Sequence, residues 1–142
     1  MTAGEKRSVC VSKPRLPIYG KIPFENFVLR RKICKVLRDL GVPEHLTGYN
    51  YLVEAVMMAS QEPVCLRKMT TFVYPYIGQK HLISAAAVER AMRHAVETAC
   101  LRCDPDALFS FFGNTIDPNK GKPSNSEFIA RVAGAVRQEV LS

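Results

Sequence analysis

Glu89, Arg90, Arg93 and His94 sit close together in the chain, and their types and spacing suit them to reading nucleic acid. An arginine presents paired N–H donors in one plane, and a glutamate presents acceptors. Guanine offers two acceptors in the DNA major groove and cytosine an amino donor, so this set can address both bases. Val88, Ala91, Met92, Ala95, Ala99 and Cys100 recur at three- and four-residue spacing. On a helix they form one apolar flank, with Glu89, Arg90, Arg93 and Glu97 on the other. The same spacing also suits a plainer role. Glu89 and Arg93 are four apart, as are Arg93 and Glu97. They would then make a solvated ladder of ion pairs worth about 0.2–0.5 kcal/mol each.

The elements around this stretch decide how it is presented. Ser84 is placed to cap the helix, and Ala85-Ala86-Ala87 is a strongly helix-forming first turn. Residues 66–81 read as helical in two pieces, because Pro75 fits the first turn of a helix and not its interior. Ile77 and Leu82 are then expected to face the core, and Leu82-Ile83-Ser84 makes a short connection. A short helix, a brief turn and a longer helix with a charged outer flank form the helix-turn-helix pattern.

Upstream, residues 24–40 predict a helix with Leu29, Ile33, Val36, Leu37 and Leu40 inward, ended by Gly41. Arg30, Arg31, Lys32, Lys35 and Arg38 crowd its remaining surface. After Val42-Pro43, a second helix follows Gly48, with Tyr51, Leu52, Ala55, Val56 and Ala59 inward and Glu62-Pro63 as its stop. Downstream, Asp104-Pro105 restarts a helix in which Leu108, Phe109, Phe111 and Phe112 are expected to plug the core before Gly113. Ser124 and Glu127 predict a capping box for a last helix that buries Phe128, Ile129, Val132, Ala133, Val136 and Val140. No period-two run long enough for a strand is present. The expected fold is all-α, a compact bundle of about six helices over residues 24–142. Residues 1–23, rich in Pro, Gly, Lys and Arg, read as a flexible basic arm.

The formal net charge of +7 makes an anionic partner reasonable, but the charge is uneven. Residues 1–47 hold ten Lys or Arg against four Asp or Glu, and residues 48–142 hold ten against nine. Nucleic-acid binding by the globular part must therefore rest on local geometry. No apolar run is long enough to span a membrane, and no secretory signal is evident, so a cytoplasmic location is expected. The five cysteines form no regular framework, and Cys100 and Cys103 make a lone CxxC. A zinc site would need two further ligands, so neither metal nor other cofactor is expected. His94 and Cys100 have no orienting third group, and no phosphate-cradling glycine loop is present, which argues against an enzyme.

A longer pattern is recognisable. It runs through Gly41-Val42-Pro43, Gly48-Tyr49, Tyr51-Leu52, Glu54-Ala55, Tyr74-Pro75 and Val88-Glu89-Arg90-Ala91, and continues in Arg93-His94-Ala95, Phe112-Gly113, Lys122-Pro123 and Asn125-Ser126-Glu127-Phe128-Ile129-Ala130. In this order, over about residues 35–139, it resembles the C-terminal effector domains of the stage zero sporulation protein A family, response regulators of endospore formation. The resemblance implies a helix-turn-helix domain that binds a short TGTCGAA-like promoter element and works with the RNA polymerase sigma subunit, with a homodimer on tandem sites as a further partner. It makes Glu89, Arg90 and Arg93 base-reading candidates and His94 a flanking contact. Lys120 and Lys122 match basic positions of the family's late loop and, with Ser84, become candidate phosphate contacts, which orient without specifying sequence.

Two departures stand out. Ala87 occupies a place where the family usually carries arginine, which implies altered affinity or preferred sequence. The family also joins this domain to a phosphoacceptor receiver, for which 142 residues leave no room. Control by abundance, or by competition with a full-length regulator, is the resulting expectation. The rival reading is a protein-interaction module or antagonist that binds a full-length regulator or sigma factor without reading DNA.

Overall fold

The computed structural model describes residues 23–113, 119 and 121–141, with side chains over 27–113, 119 and 121–138. The expected basic arm, Lys120 and the Val140 side chain lie outside the described residues. Six α-helices run in order: α1 Pro23–Asp39, α2 Thr47–Gln61, α3 Tyr74–His81, α4 Ala85–Arg102, α5 Pro105–Phe112 and α6 Asn125–Leu141. No strand occurs among the described residues.

The α1 helix buries Ile33 and Leu37 and ends where the spacing predicts. Gly41 takes a left-handed φ of 90°, Gly41 N–H donates to the Arg38 carbonyl at 2.9 Å, and Val42 N–H reaches the Leu37 carbonyl at 3.0 Å. Two otherwise orphaned carbonyls are satisfied in this way.

The α2 helix is the axis of the domain. The five expected inward residues are buried, but so are Tyr49, Val53, Met57 and Met58, because α1, α4 and α6 surround it. A helix apolar on nearly every side has no solvent face to keep. Glu54 is the exception in composition, and it is buried with partners. His81 Nε2–H donates to Glu54 Oε2 at 2.7 Å, Lys80 Nζ lies 3.5 Å from Glu54 Oε1, and the Tyr51 and His81 rings are 5.1 Å apart. The end of α3 is thereby tied to the middle of α2.

Between α2 and α3 the chain takes a 3-10 helix, Pro63–Lys68, and then a wide π turn, Met69–Val73. The sequence predicts two helical pieces over 66–81; the structure has three, and Pro75 does sit in the first turn of α3. Leu82 departs from expectation. It does not face the core but is 90% exposed, with φ 61° and ψ 42°. The reason lies in the backbone. Ile83 N–H reaches back to the Gly78 carbonyl at 2.9 Å, which puts Leu82 at the left-handed closing position of α3 and turns its side chain outward. Gly78 is needed there, since a Cβ would lie 2.6 Å from the Ile83 carbonyl oxygen.

Phe109 also departs from expectation, at 69% exposed. The two-turn α5 meets the core with only part of its circumference. Phe112 is buried and stacks on Phe128 of α6 at 5.5 Å, while Phe111 is half-buried under the Arg131 guanidinium. The capping box of α6 forms as predicted. Ser124 N–H donates to Glu127 Oε1 at 2.9 Å, and Glu127 N–H donates to Ser124 Oγ at 3.2 Å.

Candidate nucleic-acid interface

The α3–turn–α4 unit is a helix-turn-helix, and α4 is its second, longer helix. Ser84 caps α4 by accepting from Ala87 N–H at 3.0 Å. Val88, Met92, Ala95, Val96 and Ala99 are buried, so the rotation of α4 is fixed by packing on α2, α3 and α6. At about 100° per residue, the remaining arc of about 140° carries Glu89, Arg93, Glu97, Arg90 and His94. Arg90, Arg93 and His94 are exposed, and Glu89 and Glu97 are half-exposed. All four base-reading candidates therefore share one flank that the domain does not cover.

Two contacts hold α4 in register with its neighbours. At Gly48 the backbone of α2 comes against α4, where a Cβ would lie 2.1 Å from the Ala91 carbonyl oxygen. At the other side, Asn125 opens α6 and is buried. Its Nδ2 donates to the Glu89 carbonyl at 3.2 Å and to the Tyr74 hydroxyl at 3.1 Å. One amide thus joins the starts of α3 and α6 to Glu89, the first base-reading candidate on α4. Burial raises the Tyr74 phenol above its ordinary value, with the Asn125 hydrogen bond pulling the other way. Sequence spacing marks neither device, because the partners lie far apart in the chain.

The charged side chains are paired in a pattern only partly expected. Arg93 donates to Glu89 Oε2 at 3.1 Å, the first rung of the ladder. The second rung is absent. Glu97 instead takes Lys122, whose ammonium donates to Glu97 Oε2 from the segment ahead of α6. That hydrogen bond holds the Glu97 carboxyl below its ordinary value, against a smaller opposing effect of burial. Lys122 is therefore beside the reading flank, at the rim of a groove of about 370 Å³ lined by Glu89, Arg93, Glu97, Ser124 and Asn125. Ser84 is exposed at the start of α4, with its hydroxyl engaged as the cap.

Among the described residues no group of three or more His, Cys, Asp or Glu is placed to hold a metal ion, and Cys100 and Cys103 are free and half-buried. No described helix is long and apolar enough to cross a membrane. With the helix order and the uncovered flank of α4 in place, the chain can be compared with known families. The family model described as sporulation initiation factor Spo0A C terminal matches residues 33–136, so this chain belongs to the family of Spo0A C-terminal, DNA-binding effector domains.

Proposed function

We propose that this domain is a sequence-specific transcriptional regulator in which α4 enters the major groove of a TGTCGAA-like element. Arg90 and Arg93 donate to guanine acceptors, and Glu89 accepts from a cytosine amino group. His94 contacts the flank of the site. Ser84, Lys120 and Lys122 hold phosphates and set the register. The observation that carries this reading is the exposure of Glu89, Arg90, Arg93 and His94 on one flank of the second helix of a helix-turn-helix. The work is binding and not catalysis, in the cytoplasm, with the RNA polymerase sigma subunit and a second copy on tandem sites as further partners.

Selection of bound duplexes from a random pool at physiological salt tests it. Recovery of a short element of that type supports the reading. Arg93→Ala is then expected to flatten the preference, since each such contact carries about 1–3 kcal/mol of discrimination. Lys122→Ala is expected to weaken every duplex about equally and to shallow the salt dependence. If both substitutions acted alike on selected and random duplexes, the base-reading assignment would fall. One observation favours a second reading, an antagonist that binds a full-length regulator or sigma factor. Arg93 and Lys122 are both engaged by carboxylates of the domain itself. Retained binding to such a protein, with no duplex shift even at low salt, would select it.

A further inference from the structure

A dense run of exposed cations lies on α1, outside the α3–turn–α4 unit. Arg31, Lys35 and Arg38 are exposed along α1, opposite the buried Ile33 and Leu37, and Arg30 is exposed on the same helix. Acidic groups reach only the end of this row. Lys35 pairs with Asp39 at 3.1 Å and Arg38 with Glu44 at 3.4 Å, both pairs well exposed and therefore weak. Arg30 and Arg31 have no acidic partner among the described residues. Arg31 lies instead over the Phe27 ring, 5.8 Å from its centre, and Phe27 is itself exposed. A shallow depression of about 600 Å³ follows this face from Phe27 to Arg38. The reading flank of α4 is different, because Arg93 and Lys122 there are each matched by a carboxylate.

We infer that the outward face of α1 is a second, sequence-independent phosphate-binding surface for duplex DNA. The inference rests on the chain binding DNA but not on which bases α4 reads. Arg31, Lys35 and Arg38 fall at intervals of four and three residues, one line along the helix about 10 Å long. Phosphates of one strand rise by about 3.4 Å of axis each and also turn around the duplex, so a straight line of this length with long side chains reaches two or three of them. The exposed pairs with Asp39 and Glu44 exchange readily for phosphate, and Arg31 has no acidic partner among the described residues to release. The surface is also separate from the reading flank. The α1 helix packs on α2 and α6, and Gly41 at its end lies against Ala99 and Arg102, late in α4.

The test uses the full chain with Arg31, Lys35 and Arg38 all changed to Gln, titrated by fluorescence anisotropy against a selected and a random duplex over a salt series. Both affinities are expected to fall by the same factor, leaving their ratio unchanged. The slope of log affinity against log salt is expected to shallow by about 2–3, at about 0.9 for each phosphate the variant no longer neutralises. The charge-preserving variant, Arg31→Lys with Arg38→Lys, is expected to keep the parental slope. Parental slope and affinity in the Gln variant would overturn the inference, as would parental slope on DNA with lost binding to polyglutamate, which would assign the face to an acidic protein. Loss of slope in both variants would also overturn it, since charge would not be the cause. Failure of Arg93→Ala to flatten base preference would sink the α4 reading and leave this result standing.

Discussion

Glu97 and Lys122 show how one side-chain pair sets the availability of a proposed phosphate contact. The ammonium that would meet DNA already has a carboxylate partner, so binding exchanges one anion for another. Glu97→Gln removes the competitor and leaves Lys122 in place. The expected outcome is tighter binding to selected and random duplexes alike, by a few-fold, with a steeper salt dependence, read by anisotropy titration. Weaker binding in that variant would mean that Glu97 positions Lys122 and does not compete for it. The pair also has a sign in pH. Lys122 depresses the Glu97 carboxyl in the folded chain, so its contribution to stability is present above the ordinary carboxylate range. It is lost as pH falls through the folded value. The contribution is small, because both groups are open to solvent and screened.

At the scale of elements, the reading helix is held by close backbone approach as much as by its apolar flank. At Gly48 the backbones of α2 and α4 come close, and an added methyl there would run into the Ala91 carbonyl. Gly48→Ala is expected to cost more than the typical 1–3 kcal/mol of core overpacking, because the obstacle is backbone and cannot rotate away. A thermal melt that dropped by less than about 6 °C would contradict this, at about 2–4 °C for each kcal/mol. The same variant is expected to lose base preference, since any relief of the clash rotates or lifts α4. These elements were legible in the sequence to different degrees. Apolar spacing placed α1, α2, α4 and α6, and Ser84, Asp104 and Ser124 marked helix starts that the hydrogen bonds bear out. The sequence pattern could not mark Gly48 as a crossing point or Asn125 as a latch, since each depends on residues brought together only by folding. Leu82 and Phe109 were misplaced for a related reason. Hydrophobicity says that a residue can be buried, whereas a left-handed helix end and a two-turn helix decide that these are not.

For the molecule as a whole, one apolar cluster reaches from Ile33 in α1 through α2 and α4 to Val136 in α6. It includes Cys65, Met69 and Phe72 from the irregular segment between α2 and α3. Removing any of these helices would expose α2 on a side it normally hides, so no part of the bundle has a core of its own. Such a domain is expected to unfold in one transition. Cys65 offers a direct probe, because it is 2% exposed and burial pushes its thiol above the ordinary value. Only the thiolate reacts readily, so burial slows alkylation both by access and by protonation. In a denaturant series with pulsed alkylation and peptide mass spectrometry, Cys65 is expected to stay protected until helical circular dichroism is lost, with coincident midpoints. Labelling of Cys65 at clearly lower denaturant would show that the 3-10 and π segment opens by itself. The helix-turn-helix would then be carried on a hinge at its first helix, and the seat of α4 would depend on α2 and α6 alone.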